Sequence, residues 1–288
     1  MTEPQTEPQT EPQPADAQQS SATSAAAPSP VVVERDGAVA TVRLGRPEAM
    51  NSLDIATKVA LLAALTEVAE DASVRCVVLT GSGRAFCVGQ DLREHVELLQ
   101  RDDASLWETV PAHYNPIVEL LATMNKPVVA ALNGVAAGAG AAFAMAADFR
   151  VIVDTAGINL AFAGIALSCD SGSSWWLPRL VGPARAKELL LLPRTLPADE
   201  CLQLGLVTQV VRPEELTATV QELATRLAAG PTLAYGSIRR AVAFSAGHDL
   251  SASLAHEAEL MALTGASADH HAAVAAFLAK ERPEFTGR

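Results

Sequence analysis

The period of hydrophobic and polar positions changes several times along the chain, and each change marks an element. Residues 31–34 and 38–44 are strand-like runs joined by Arg35-Asp36-Gly37, which predicts a hairpin on an Asp-Gly turn. Across 54–69 apolar residues return at helical spacing, with Ser52 placed to cap the helix. Residues 74–80 read as a buried strand running into a Gly-rich loop, 81–89. A helix is predicted over 105–123 and a second buried strand over 127–132. Asn133-Gly134 then leads to a small-residue helix opening near Gly138, and a third strand follows over 149–153. Strands alternating with helices at these lengths predict βαβ units and a mainly parallel sheet. From residue 197 onward the pattern is helical, with segments 197–204, 213–229, 231–244, 252–263 and 269–280. We place a core at 31–196 and a helical C-terminal region at 197–288, available for oligomerisation and for covering the active site.

Residues 1–30 repeat Thr-Glu-Pro-Gln three times and then turn Ala/Ser/Gln-rich. A segment with so little to bury cannot offset its ordering entropy, so a disordered tail without chemistry is expected. The 288 residues suffice for one α/β domain. Of the 49% apolar residues many are Ala, and aromatics make up only 4%, which favours closely packed helices over a β-sandwich.

A formal charge of −12 argues against nucleic acid as the main partner; a phosphate-bearing ligand would need a local cluster of Lys and Arg. Cys76, Cys87, Cys169 and Cys201 lie far apart without CxxC spacing, which suits reduced thiols. The six histidines lack any metal-ligand spacing, so no metal site is expected. The longest apolar candidate, 128–147, is broken by Asn133, and the N-terminus lacks a signal-peptide pattern. The expected location is the cytoplasm, with no membrane contact.

Two loops carry candidate chemistry. In Ala85-Phe86-Cys87-Val88-Gly89-Gln90-Asp91-Leu92, Gly89 permits a sharp turn that leaves backbone amides without carbonyl partners. The same stretch also reads as an ordinary βα turn with Asp91 capping the next helix. In Asn133-Gly134-Val135-Ala136-Ala137-Gly138-Ala139-Gly140-Ala141-Ala142, a helix start offers free amides, and tiny side chains let a ligand oxygen approach closely. A dinucleotide loop or a tight helix-packing face are the other readings, the former opposed by the lack of GxGxxG. Two such amide sources on one sheet can converge on a single carbonyl oxygen and stabilise an enolate.

Together these loops closely resemble the crotonase (enoyl-CoA hydratase/isomerase) superfamily, and the resemblance runs from about Val31 to Arg288. It includes Arg46-Pro47-Glu48-Ala49-Met50-Asn51-Ser52-Leu53, similar to the family's early CoA-contacting loop. The resemblance implies an α/β crotonase (ClpP-like) fold with repeated ββα units and a helical C-terminal part. It also implies an acyl-CoA substrate, a homotrimer or homohexamer, and no cofactor beyond the CoA of the substrate. Carried over, the carbonyl-binding donors are the backbone N–H groups of Gln90 and Ala139. Ala49, Val88, Asn115, Gly138, Phe162 and Trp175 become substrate-contact positions, and Lys280, with Arg282, matches residues that approach the nucleotide.

The apolar stretch from Ala161 to Gly182 surrounds one carboxylate, Asp170. On spacing alone Asp170 reads as the cap of a helix starting at Ser171; capping and catalysis can coexist. The family's hydratases use two glutamates, and the matching positions here are Ala142 and Phe162, neither of which moves a proton. The Asp170 segment instead resembles the branch containing 1,2-epoxyphenylacetyl-CoA isomerase, as do Tyr114-Asn115-Pro116 and the tail from Ala276 to Gly287. In that branch an Asp here is the acid–base residue. Ser168-Cys169 and Ser173-Ser174 depart from the branch pattern. A nucleophilic Asp occurs at this place in aryl-CoA dehalogenases, which add a histidine; the matching position is Asn115. The expected function is therefore an acyl-CoA isomerase shifting a double bond or rearranging an epoxide ring. An enoyl-CoA hydratase and a catalytically silent CoA-thioester-binding protein are the rivals.

Overall fold

The computed structural model describes residues 1–2 and 29–288, so the tail expected at 1–30 lies almost wholly outside the described residues. The chain opens with β1 (Val31–Asp36) and β2 (Val39–Leu44), then α1 (Ile55–Glu70). Next come β3 (Cys76–Gly81), β4 (Ala85–Cys87), α2 (Leu92–Gln100), α3 (Ser105–Thr109) and α4 (Asn115–Thr123). They are followed by β5 (Val128–Leu132), β6 (Val135–Ala137), α5 (Ala139–Ala146), β7 (Phe149–Val153) and β8 (Gly157–Asn159). The rest holds α6 (Ser173–Val181), α7 (Pro183–Leu191), β9 (Thr195–Pro197), α8 (Ala198–Gln203) and β10 (Gln209–Val211). The chain closes with α9 (Leu216–Ala228), α10 (Thr232–Ser245), α11 (Leu250–Gly265) and α12 (Ala268–Ala279).

A repeated ββα arrangement organises the sheets. In the pairs β3–β4, β5–β6 and β7–β8, the first strand enters a six-stranded sheet of order β1-β2-β3-β5-β7-β10. The second enters a four-stranded sheet of order β4-β6-β8-β9. Pairing is parallel except at the β1–β2 hairpin and at β8–β9. β3 and β5 are buried along their whole length. This explains why they read as continuous apolar runs rather than alternating ones. α9 packs across β2, β3, β5 and β7, and α1 packs against β1 and β2.

Several local expectations change. Asp54, not Ser52, caps α1: its side chain accepts from Thr57 N at 2.8 Å. The helix expected over 105–123 is broken by a π turn at Val110–Tyr114. Pro111, inside it, has no N–H to continue an α ladder. The strands β4, β6, β8, β9 and β10 have three residues each, too short for a periodic signal. β9 straddles the boundary drawn at 196, and β10 joins β7 in the large sheet, so the helical C-terminal region is stitched into the core. The tail folds back: Asp269, buried, accepts from Thr286 N (2.6 Å) and Gly287 N (2.8 Å), while Arg75 donates to Phe285 O (2.9 Å).

Candidate active site

The site is assembled where β4 and β6 hand over to their helices. Two amide side chains, Asn51 fully buried and Asn133 half-buried, hold the loop after β3. Asn51 Oδ1 accepts from Arg46 N (3.0 Å), and its Nδ2 donates to Ser82 O (2.9 Å) and Ala85 O (2.8 Å). Asn133 Oδ1 accepts from Gly81 N (3.1 Å), and its Nδ2 donates to Gly83 O (2.9 Å) and Ala85 O (3.0 Å). The backbones approach closely because no side chain intervenes: a Cβ on Gly140 would lie 2.2 Å from Cys87 O.

That approach packs the loop carrying Gln90 against the start of α5. Gly89 takes φ +82°, and a Cβ placed on it would sit 3.2 Å from Ala139 N. Leu53 bridges the next peptides: Leu53 N donates to Gly89 O (2.8 Å) and Asp91 N to Leu53 O (3.2 Å). In a parallel bridge of this kind, the N–H of the intervening Gln90 points away from Leu53. Ala139 opens α5, so its amide has no intrahelical acceptor, and the helix dipole adds partial positive charge there. Gly138 precedes it with φ +50° and donates its own amide to Asn159 O (3.0 Å).

Beside the Gln90 loop is a partly buried polar network that the sequence did not reveal. Tyr114 donates its hydroxyl to Gln90 Oε1 and packs its ring edge-on against Phe143 of α5, centroids 6.0 Å apart. Lys58, from the first half of α1 and 1% exposed, donates to Thr109 Oγ1 (2.8 Å), Glu94 Oε2 (3.2 Å) and Gln90 Oε1 (3.3 Å). Burial pushes the Lys58 ammonium below its ordinary value, against the pull of Glu94.

Asp170 is half-buried in the loop before α6. It does not cap that helix, which starts at Ser173 with Gly172 as its cap residue; its carboxylate instead accepts from the Ser171 hydroxyl at 2.7 Å. Burial raises its pKa from the ordinary 3.8, and the Ser171 bond opposes the rise. The Tyr114 phenol is held well above its usual range, by burial first and then by the Asp170 charge. Tyr114 thus feels Asp170 while it holds Gln90. Two other nearby carboxylates are engaged: Asp91 caps α2, accepts from Ser52 Oγ (2.8 Å) and pairs with Arg46 (3.1 Å), while Glu94 pairs with Lys58.

Ala49, Val88 and Gln90 line one cleft of about 700 Å³, together with Arg46, Arg84 and Arg93. Ala142 and Phe162 are buried. Asn115 is exposed at the start of α4. Trp175 stacks edge-on with Trp176 (4.2 Å) under the Arg179 guanidinium (3.8 Å). It lines a separate apolar cavity of about 610 Å³ with Met145, Ala146 and Ala147, at the opposite end of α5 from Ala139. Lys280 is exposed and ends α12 at φ +58°. Among the described residues no group of three or more His, Cys, Asp and Glu is placed to hold a metal, and no helix is long and apolar enough to cross a membrane.

Repeated ββα units shared between two sheets, with the Gly89 loop packed on the start of α5, fit an acyl-CoA enzyme of the crotonase type, and the chain belongs to the enoyl-CoA hydratase/isomerase family, whose model matches residues 34–288. It is 41% identical over 250 residues to 1,2-epoxyphenylacetyl-CoA isomerase of Escherichia coli (strain K12), covering 87% of this chain and 95% of the relative. It is 32% identical to crotonyl-CoA hydratase of Syntrophomonas wolfei, with coverage of 90% and 98%. A Mycobacterium abscessus protein provisionally assigned as an enoyl-CoA hydratase/isomerase superposes with a TM-score of 0.85 at 43% identity, covering 90% of this chain and all of that one.

Proposed function

We propose that the protein is an acyl-CoA isomerase in which Asp170 is the acid–base residue and the Gln90 and Ala139 amides bind the thioester oxygen. The observation that carries this reading is that Asp170, half-buried and paired with no cation among the described residues, is the carboxylate whose charge acts most on Tyr114, the residue bonded to Gln90. Asp91 and Glu94 are tied to cations, and the two positions that carry glutamates in hydratases are Ala142 and Phe162. A single carboxylate suits a proton shift. Asp170 removes a proton from a carbon made acidic by conjugation with the thioester, and the electron pair moves onto the carbonyl oxygen as an enolate. The resulting carboxylic acid returns its proton at another carbon, so no water is added. An epoxide substrate would use the same enolate: its electron pair forms a new C=C to the epoxide carbon, that ring C–O bond breaks, and the departing alkoxide takes the proton back from Asp170.

An ordinary Asp is far too weak a base for this carbon acid. Two effects narrow the gap. Partial desolvation raises Asp170, and two fixed amide donors stabilise charge where it develops. In the cleft beside Gln90, Arg84 and Arg93 are the cations we assign to the CoA phosphates. Lys280 would reach such a phosphate only on a neighbouring copy, in the homotrimer or homohexamer we propose. Leu250, Leu254 and Met261 on α11, with Phe277 and Leu278 on α12, supply exposed apolar surface for that assembly.

The experiment is a panel of enoyl- and epoxyaryl-CoA thioesters incubated in heavy water with wild type and Asp170→Asn. Deuterium uptake into the acyl chain by wild type, lost in the variant, is the expected result. Robust hydration of crotonyl-CoA with no isomerisation would overturn it in favour of a hydratase. Thioester binding with no exchange would make the protein a silent binder.

A further inference from the structure

The Lys58–Gln90–Tyr114 cluster has no part in the proton shift itself, yet it surrounds the residue whose backbone we assign to the carbonyl oxygen. Gln90 Oε1 takes two donors, the Tyr114 hydroxyl and Lys58 Nζ, and Gln90 Nε2 donates to Glu94 Oε2 at 3.4 Å. Both ends of the Gln90 side chain are therefore fixed, and the backbone N–H is the group left to face a ligand. All three protons of the Lys58 ammonium are used within the cluster, on Gln90, Glu94 and Thr109.

Such a cluster is costly to bury, since removing an ammonium from water is repaid only by well-made partners. Beyond its first turn α1 buries only apolar residues, Leu61, Ala64, Leu65 and Val68. A methionine at 58 would pack there without any charge to satisfy. The partners come from four separate segments: α1, the turn before α2, α2 itself, and the π turn with the end of α3. Tyr114 also touches Phe143, one turn into the helix whose first residue is Ala139. One side chain thus links the segment carrying one amide donor to the helix carrying the other. The Lys58 ammonium, 5.8 Å from the centre of the Tyr114 ring, completes the stack.

We propose that Lys58 and Tyr114 are positioning residues that clamp the Gln90 side chain so that its backbone N–H keeps its aim at the thioester oxygen. The inference rests on the reading of Gln90 and Ala139 as the carbonyl-binding pair, and it is independent of the proton-transfer role of Asp170. The alternative is a scaffold that holds α1, α2 and the π turn together without affecting the carbonyl.

The test uses the full-length protein, with benzoyl-CoA as a thioester that cannot isomerise. Its carbonyl stretch is read by Raman or infrared difference spectroscopy at saturating protein. In wild type and in Asp170→Asn the bound carbonyl should shift to lower frequency, because the amide pair polarises it. Tyr114→Phe, which keeps the ring, and Gln90→Met, which removes the acceptor, should each lose a large part of that shift while benzoyl-CoA still binds. The double variant should lose no more than Gln90→Met alone, since that variant already lacks the acceptor of the Tyr114 bond. With a turned-over substrate, kcat should fall roughly tenfold to a hundredfold in Tyr114→Phe with KM little changed. Lys58→Met should move the carbonyl in the same direction. An unshifted carbonyl in wild type, a shift retained in Tyr114→Phe, or additive losses in the double variant would each overturn the proposal. Absence of deuterium exchange in wild type with the carbonyl pattern intact would overturn only the isomerase reading.

Discussion

Gly89 and Ala139 are so close that a methyl group on the first would stand 3.2 Å from the amide nitrogen of the second, and 3.0 Å from Ala137 O. Gly89 also holds φ +82°, where a side chain is strained whatever the space. Gly89→Ala should therefore push the two amides apart while leaving the sheets intact. Losing one such donor typically costs roughly 10²–10³ in rate. We expect a fall in kcat of that order, with a modest drop in melting temperature. Steady-state kinetics on an accepted acyl-CoA, paired with a thermal melt, checks both.

Asp170→Asn should separate activity from stability. General acid–base catalysis by one side chain is worth about 10²–10⁴ in rate, so proton exchange should fall at least that far. Stability should move the other way. The folded-state pKa of Asp170 lies above 3.8, chiefly through burial, so the unfolded chain ionises first. The penalty is absent below the unfolded value and grows to its full size as pH rises through the folded one. At pH 7 the asparagine variant should melt at or above the wild-type temperature. A clear loss of stability in a calorimetric scan at pH 7 would contradict this.

With Asp170 as the proposed base, Ser171 should set where the acid limb of the pH profile falls. Its hydroxyl, almost fully buried, donates to Asp170 Oδ1 at 2.7 Å and opposes the upward shift caused by burial. Removing it in Ser171→Ala takes away a bond to the ionised form. The carboxyl should then titrate at a higher pH still. The expected outcome is a displacement of the acid limb of kcat/KM to higher pH, with the plateau rate largely kept. A profile that moves to lower pH or does not move would disprove the assignment of this limb to Asp170.

Much of the proposed site is legible in the sequence because the groups we assign to the carbonyl are backbone amides. Gly89 and the Gly138-Ala139-Gly140 run announce free amides through composition alone, and the apolar, β-branched runs of β3, β5 and β7 locate the sheet. Asp91 is readable as the cap of α2, because its side chain serves Arg93 N in the next turn. What escapes is long-range. Ser52 has the composition of a cap, but its hydroxyl goes to Asp91, 39 positions away. Lys58 carries no mark of burial in the sequence. Its burial is decided by Gln90, Glu94 and Thr109, at separations of 32 to 51 positions that no periodicity encodes. Tyr114 belongs to the Tyr114-Asn115-Pro116 motif, but its bond to Gln90 depends on the π turn, which a helical pattern with Pro111 does not specify.

Asn51 belongs to the early loop, and only the fold reveals what it does there. Fully buried and at φ +56°, it closes the loop around Arg46 on one side and the carbonyls of Ser82 and Ala85 on the other. Asparagine tolerates this left-handed backbone better than most residues, and here its amide also serves three partners. Asn51→Gly removes those bonds while relieving the backbone, whereas Asn51→Ala removes them and adds strain. A buried polar group left unpaired costs about 1–3 kcal/mol. Ala85 O keeps its second donor from Asn133, so the loss should centre on Arg46 N and Ser82 O. Both variants should be destabilised, alanine more than glycine, in denaturant titrations. Because Ala49 and Arg46 line the cleft, KM for the acyl-CoA should rise more than kcat falls. If the glycine variant matched wild type in stability, backbone conformation rather than hydrogen bonding would account for the asparagine.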